Sequence, residues 1–354
     1  MKKFSLILAM IMVISLLGGC AGTAVVYYGD CTCPTGSHDS NVNNTPEKTP
    51  VVGEGAVKTG LYIGTGVSSE KAGEVKYDVT LVAVTVDDAG VIHSCTIDSI
   101  GTSVNFDASG IITSDLIAPI QTKNELGDAY GMVAYGGAVA EWDAQAKALA
   151  DYAVGKTLDQ LKNGAIDESG YAPDGSDLAS SATIYLGGYV AGIEAAVGNA
   201  QHLGAQAGDE LRLACIPSIK SSTSASAENP GNAQLDVDVT ALTLNGGTIT
   251  SCYIDSVQAK VSFDAAGAIT SDLTAPVQTK NQLGEAYCMK AWGGAIAEWN
   301  EQAASFAQYV TGKTAADVAG IAVDQGTKPT DADLATSVTI AIGGFQALIQ
   351  KAAQ

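Results

Sequence analysis

The sequence predicts an α+β protein built from two tandem copies of a small domain, each with an antiparallel sheet and two main helices. In each half of the chain, strand-like segments come first and helix-like segments follow, which is typical of α+β folds. The segment TSDLIAPIQTKNELGDAYGM, from Thr113 to Met132, returns as TSDLTAPVQTKNQLGEAYCM, from Thr270 to Met289, with fifteen of the twenty positions identical. A repeat of this length indicates a duplicated domain rather than a solenoid of short units.

The first twenty residues are predicted to be a secretory signal. Two lysines precede an apolar run from Phe4 to Leu17, which is shorter than the roughly 20 residues that a membrane-spanning helix needs. The run ends in Leu-Gly-Gly-Cys, and this ending resembles the lipobox of bacterial lipoproteins. We therefore expect Cys20 to be lipidated and to anchor the chain on the outer face of the cell membrane. The alternative is an ordinary cleaved signal with a chance cysteine.

Residues 21–57 are predicted to form a flexible tether between the lipid and the first domain. The segment is rich in Thr, Ser, Asn, Pro and Gly and has no hydrophobic period. Its Cys31 and Cys33 are too close in sequence for easy bridging to each other. We expect the two domains at residues 58–203 and 204–354.

Charge and motif content exclude several functional classes. Acidic residues outnumber basic residues by 38 to 18, which gives a net charge of −20. Such a surface repels nucleic acid and attracts basic partners, so we do not expect nucleic-acid binding. The three histidines have no counterpart in the other copy, and no zinc-protease motif, nucleophile elbow or calcium-loop spacing is present. The sequence therefore predicts no metal site and no catalytic residue, and it leaves open whether the chain is an enzyme.

The first copy is predicted to begin with a β-hairpin around the turn at residues 87–90. A shorter hairpin is expected around residues 107–110, followed by a loop that contains proline. A helix is expected from about Tyr135 to Val154 and is stopped by Gly155. Its apolar stripe is predicted to contain Val139, Trp142, Ala146 and Leu149. An acidic loop then leads into a last helix.

The second copy repeats these elements about 157 residues later, which places several side chains at matched positions. Cys95 and Cys252 fall on the same strand-like segment of each copy, and we expect them to be buried free thiols. Trp142 and Trp299 fall on the same helical stripe, and we expect both in the core.

A second repeated string contains the candidate site. DLASSATIYLGGY starts at Asp177, and DLATSVTIAIGGF starts at Asp333. Ser180 and Thr336 are predicted to cap a helix, which would place Thr183 and Thr339 in its first turn. Unpaired N–H groups and the helix dipole stabilise a phosphate there, so each threonine hydroxyl could bind an anion or carry one covalently. The alternative is an ordinary capped helix with a threonine near its start.

The same string contains a glycine pair, Gly187-Gly188 in the first copy and Gly343-Gly344 in the second. Glycine inside a helix costs up to about 1 kcal/mol relative to alanine, so a pair in both copies needs a reason. The two alternatives are close packing of another element and close approach of a flat ligand.

DLASSAT and DLATSVT resemble the Asp-x-x-Ser/Thr-Gly-Ala-Thr flavinylation motif of the FMN-binding domain family. In that family a flavin transferase uses FAD to attach FMN to the threonine hydroxyl through a phosphodiester. The resemblance implies covalent FMN on Thr183 and Thr339, up to two per chain. The chain departs from the motif at three positions, where other residues replace the glycine or the alanine: Ser181, Ser337 and Val338.

The repeated loop around TKNELGDAY supplies further candidates. Lys123 and Lys280 could balance a flavin phosphate or the anion of a reduced flavin, and Tyr130 and Tyr287 could stack on the ring. The alternative is that this loop is only a capped helix entry with a structural role.

The lipobox, the tether and the two tandem domains together resemble the lipoproteins of flavin-based extracellular electron transfer in Gram-positive bacteria. The resemblance implies an electron-transfer flavoprotein that passes electrons from a membrane reductase to external acceptors such as ferric iron. The alternative, from another class, is a non-catalytic lipoprotein that binds a solute or organises the cell surface.

Overall fold

The computed structural model describes residues 55–354, which form a mixed α/β fold with two three-stranded antiparallel sheets and ten α-helices. The predicted signal, its Cys20, Cys31 and Cys33, and most of the predicted tether lie outside the described residues. Two residues that we assigned to the tether belong to the fold. Ala56 pairs with Gln206, and the N–H of the buried Val57 donates to the carbonyl of Ala205 at 3.0 Å.

Each sheet has its strands in sequence order, and every pair is antiparallel. The first sheet contains β1 (Lys58–Ser68), β2 (Glu74–Val86) and β3 (Ile92–Asn105). The second contains β4 (Glu210–Ser218), β5 (Gly231–Asn245) and β6 (Thr248–Phe263). The predicted hairpin is confirmed, because the Asp87 carboxylate accepts from the N–H of Val91 at 2.8 Å across the turn.

β1 was not predicted from the sequence. Its glycines obscured the strand pattern, and at least one of them is needed for packing. A Cβ atom on Gly60 would lie 2.0 Å from the carbonyl oxygen of Ala196 in the helix that covers this strand. The glycine therefore lets the helix backbone approach the sheet closely.

Five α-helices follow each sheet within the described residues. In the first half they are α1 (Lys123–Leu126), α2 (Met132–Gly136), α3 (Trp142–Ala153), α4 (Leu158–Ala165) and α5 (Gly187–Gly198). In the second half they are α6 (Lys280–Leu283), α7 (Met289–Gly293), α8 (Trp299–Val310), α9 (Ala315–Ala319) and α10 (Gly343–Ala352). None of these helices is long and apolar enough to span a membrane.

The predicted start of α3 near Tyr135 is wrong. Gly137 adopts a left-handed conformation with a φ of 64° and ends α2, so α3 begins only at Trp142. Val139 lies outside the helix and is 61% exposed, whereas the rest of the predicted stripe, Trp142, Ala146 and Leu149, is buried. The expected burial of Trp299 is also confirmed.

The two sheets pack face to face through a shared apolar core, and helices cover their outer faces. Phe106 and Phe263 stack across this core with ring centroids 3.9 Å apart and planes 3° apart. The hydroxyl of Tyr77 donates to the carbonyl of Ala233 at 2.8 Å. The side chains of β2 alternate between the shared core and the layer of α3 and α5, as expected of a strand buried on both faces. The halves therefore fold against each other.

Cys95 and Cys252 form no disulfide on β3 and β6, as expected, but only Cys252 is buried by its exposed area, and Cys95 is half-buried. The surrounding protein raises the pKa of each thiol to about 12 by desolvation. The other cysteines of the described residues are Cys215 and Cys288, and both are buried.

Candidate functional site

Thr183 and Thr339 do not lie in a helix, so the predicted caps are wrong. A single 3-10 turn covers Leu178–Ser180, and α5 begins only at Gly187. The Ser180 hydroxyl donates back to the carbonyl of Asp177 at 2.6 Å instead of accepting from backbone N–H groups. A hydroxyl that bonds to a carbonyl three residues earlier does not cap a following helix, so the chain forms only this short turn.

The second half differs from the predicted helix cap in the same way. Thr336 donates to the carbonyl of Asp333 at 2.7 Å, and α10 begins at Gly343. Asp177 and Asp333 are exposed, and it is their backbone carbonyls that contact the hydroxyls of the string. The anion site expected at a helix start is therefore not formed by these residues.

A buried glutamine holds Thr183 instead. Oε1 of Gln145 accepts from the backbone N–H of Thr183 at 2.7 Å, from the N–H of Ile184 at 3.2 Å and from the Thr183 hydroxyl at 3.3 Å. Nε2 of Gln145 donates to the carbonyl of Ala140 at 2.8 Å. Gln145 has no exposed surface, so its amide is satisfied at both ends within the core.

Gln302 holds Thr339 in the same way. Its Oε1 accepts from the N–H of Thr339 at 2.8 Å, from the Thr339 hydroxyl at 3.2 Å and from the N–H of Ile340 at 3.2 Å. Its Nε2 donates to the carbonyl of Ala297 at 2.8 Å. Because each hydroxyl gives its proton to the buried amide, its oxygen keeps lone pairs for a bond on the outer side, where Thr183 is exposed and Thr339 half-buried.

Neither glutamine was predicted from the sequence to belong to the site. The signal was a polar residue at the same place on the apolar stripe of both repeats, three residues after Trp142 and Trp299. A glutamine on a buried helical face needs partners for its amide, and here it finds them in the threonine segment.

The candidate lysines lie over aromatic rings. Nζ of Lys123 is 5.1 Å from the ring centroid of Tyr130 and 5.0 Å from that of Trp142. In the second half, Nζ of Lys280 is 5.3 Å from Tyr287 and 4.7 Å from Trp299. All four distances fall within the range of cation–π attraction, so the lysine, the tyrosine and the core tryptophan form one group in each half.

The loop that carries Lys123 is a capped helix entry, as the structural alternative predicted. The Thr122 hydroxyl accepts from the N–H of Glu125 at 3.2 Å, and the Glu125 carboxylate accepts from the N–H of Thr122 at 2.9 Å. Thr279 and Gln282 form the same reciprocal pair in the second half. The caps fix the backbone on which the lysine stands.

Buried carboxylates tie these loops to the sheets. Asp98 accepts from the N–H groups of Ser99 at 2.7 Å and Asn124 at 3.1 Å. Asp255 accepts from the N–H groups of Ser256 at 2.7 Å and Asn281 at 3.0 Å. Burial raises the pKa of Asp98, and it raises the pKa of Asp255 to about 6 against the opposing effect of these hydrogen bonds.

An open cleft of about 380 Å³ joins several of the candidates in the first half. Lys123, Tyr130 and Trp142 line it together with Ile184, the residue after Thr183, which does not itself line the cleft. Its remaining walls are Thr80, Met132, Tyr185, Gly188 and Tyr189. The cleft is therefore an aromatic groove with one cation, adjoining the threonine.

The glycine pair forms the first two residues of α5. A Cβ atom on Gly187 would lie 2.5 Å from the hydroxyl oxygen of Tyr185, an exposed side chain two residues earlier. Gly188 lines the cleft, so its missing side chain keeps the groove open.

Within residues 55–354, no group of three or more His, Cys, Asp or Glu side chains is placed to hold a metal ion. The cleft residues suit a flat aromatic ligand that carries negative charge, because ring faces stack on ring faces and the lysine offsets an anion. No protein-family model, curated protein or solved structure matches this chain.

Proposed function

We propose that the chain is a membrane-tethered extracellular electron carrier, made of two copies of one small domain with FMN attached to Thr183 and Thr339. The observation that supports it most is the pair of threonines, each held at the surface by a buried glutamine. The order of elements supports the duplication, since a three-stranded sheet and five α-helices recur in each half. When bound, FMN supplies reversible electron acceptance, and the protein sets its position and surroundings.

Gln145 and Gln302 act as positioning residues for attachment. In the proposed modification, each threonine Oγ1 forms a bond to the phosphorus of the FMN part of FAD, the hydroxyl proton leaves, and AMP departs. Gln145 holds that hydroxyl in one orientation, at 3.3 Å, before the bond forms. An amide oxygen is not basic, so the group that removes the proton belongs to the flavin transferase.

The first-half cleft is the proposed place for the flavin ring. Lys123 supplies positive charge next to the faces of Tyr130 and Trp142. Nε1 of Trp142 donates to the hydroxyl of Tyr189 at 3.1 Å, which fixes both rings at the cleft wall. Covalent attachment suits a protein outside the cell, where a dissociable FMN would be lost by dilution.

The proposed location rests on the lipobox and the tether. A flexible coil of about 35 residues has a root-mean-square reach of roughly 30 Å, which lets the carrier move between a membrane reductase and an external acceptor. The net charge of −20 favours basic surfaces on both partners. A solute-binding lipoprotein remains the alternative, because an aromatic cleft with one cation also suits a free anionic solute.

Covalent flavin separates the two functions. The protein co-expressed with a flavin transferase should be yellow and should remain fluorescent after denaturation and gel filtration. A colourless protein whose intact mass equals that of the bare polypeptide, made alongside an active transferase, would contradict the carrier function and leave solute binding. The matched control is the same chain expressed without the transferase.

A further inference from the structure

The two halves differ at one charged position beside the threonine string. Thr80 of β2 pairs with Ser99 and lines the first-half cleft together with Gly188. At the matching place, Asp238 of β5 pairs with Ser256, and a Cβ atom on Gly344 would lie 3.4 Å from Oδ2 of Asp238. A hydroxyl in the first half is therefore replaced by a carboxylate in the second.

The aromatic wall differs as well. Tyr185 corresponds to Ala341 in the repeat, and Tyr189 corresponds to Phe345. Gly170 makes room for Tyr185, since a Cβ atom there would lie 2.4 Å from the tyrosine ring. Thr327 takes the place of Gly170 in the second half, with a φ of 59° that threonine rarely adopts. Only the first half therefore has room for an aromatic ring at the position of Tyr185.

The two lysines also face different surroundings. In the described part of the chain, Lys123 forms no salt bridge, and its Nζ lies over two ring faces. Burial lowers the pKa of Lys280, and the charges of Asp238, Asp236 and Asp255 oppose that effect. Asp236 and Asp255 have carboxylate counterparts in the first half, whereas Asp238 has none. These carboxylates thus offset the charge of Lys280, and they weaken its attraction for an anionic ligand.

Two further charges lie near this position. Asp236 pairs with Gln258 at the position where Asp78 pairs with Gly101, so that carboxylate is common to both halves. Lys260 has no basic counterpart in the first half, and its charge interacts with those of Asp236 and Lys280. Lys260 therefore offsets part of the negative charge of the second half, but Asp238 is the carboxylate that lies next to Gly344.

We propose that the two sites are unequal, so that the first-half cleft binds a planar aromatic anion such as FMN without covalent attachment, whereas Asp238 and the missing Tyr185 make the second half bind it weakly. The choice of FMN as ligand rests on the proposed function. The inequality itself follows from the contacts of Thr80, Lys123, Asp238 and Lys280. We expect the first site to be about tenfold tighter, which corresponds to 1.4 kcal/mol.

The test is a titration of the unmodified full chain, expressed without a flavin transferase, with free FMN and with uncharged riboflavin. Quenching of flavin fluorescence should show one tight FMN site per chain. Thr80→Asp should weaken that site about tenfold for FMN and much less for riboflavin, while Thr80→Asn, its uncharged control, should not. The fold tolerates a carboxylate at this position, as Asp238 shows in the other half.

Three further variants show which half contains the tight site. Lys123→Met should remove tight binding and Lys280→Met should leave it unchanged, while Asp238→Thr should strengthen the second site. Two equal sites, an unchanged Thr80→Asp variant, or loss of binding in Lys280→Met alone would overturn the inequality. Flavins attached at both threonines together with any of these results would refute the inequality only. Unequal binding with no attachment would refute the covalent carrier only.

Discussion

Oε1 of Gln145 accepts hydrogen bonds from both the backbone N–H and the hydroxyl of Thr183, at 2.7 and 3.3 Å. One amide in the core therefore fixes the main chain and the side chain of the threonine together. Gln302 and Thr339 repeat the relationship at 2.8 and 3.2 Å. The threonine hydroxyl is presented by α3 and α8, not by a helix start.

Gln145→Leu should lower flavin incorporation at Thr183 and leave Thr339 modified. The change leaves the N–H groups of Thr183 and Ile184 without their acceptor, which we expect to cost about 1–3 kcal/mol of the free energy of unfolding. Peptide mapping by mass spectrometry and urea unfolding measure the two effects. Gln302→Leu is the matched control and should give the reverse pattern. Normal occupancy of Thr183 in a folded Gln145→Leu variant would show that the glutamine does not position the threonine.

Asp255 should make the protein more stable as pH falls from 7 to 5. Its pKa is raised to about 6 by burial, so between pH 4 and 6 the folded state binds more protons than the unfolded state. The free energy of unfolding therefore rises as Asp255 is protonated, by on the order of 1 kcal/mol between pH 7 and pH 5. Asp255→Asn should lose this rise. Urea unfolding of wild type and variant at the two pH values separates the contribution of Asp255 from the general effect of net charge. Parallel pH dependences of the two proteins would contradict this prediction.

Phe263→Ala should destabilise both halves of the protein. Phe263 stacks on Phe106 in the core that the sheets share, and truncating a buried phenylalanine costs about 3–5 kcal/mol. Hydrogen exchange should therefore accelerate in β1–β3 as well as in β4–β6. Ile117→Ala, at a side chain that is 87% exposed, is the control and should change neither sheet. Acceleration confined to β4–β6 would show that the halves are stable independently.

Cys20→Ala should release the protein from cells while leaving its flavins in place. Without the lipid the carrier is no longer held near a membrane reductase, so cell-associated reduction of ferric iron should slow. Cell fractionation and an iron-reduction assay measure the two effects, and Cys31→Ala serves as the control. An unchanged cell-associated rate with released protein would refute the tethered carrier.

Local sequence patterns predicted the elements that local contacts determine. The turn after β2 and the apolar stripe of Trp142, Ala146 and Leu149 are of this kind, because their partners are a few residues away or lie on a continuous core face. The start of α5 was predicted six residues too early, at Ser181 after a cap at Ser180, instead of at Gly187. The N–H groups of Thr183 and Ile184 are satisfied by Gln145, which is 38 residues away from Thr183, and no local pattern contains that bond.

The same difference between local and distant contacts decides which residues of the candidate site could be predicted. Repetition identified both threonines, both lysines and both tyrosines, and the lysines do lie over the tyrosines. Gln145 and Asp98 were missed because their functions come from bonds to distant segments. The place of the Asp238 carboxylate at the second site could not be predicted from the sequence, because its neighbour Gly344 is more than 100 residues away along the chain.

Mass spectrometry of peptides from the protein matured with a flavin transferase tests the central claim most directly. The account predicts FMN on the peptide that contains Thr183 and on the peptide that contains Thr339. Thr183→Val should remove only the first adduct and Thr339→Val only the second, with each variant folded because the backbone bonds to Gln145 and Gln302 remain. Two flavins retained in either single variant, or FMN on any other residue, would contradict it.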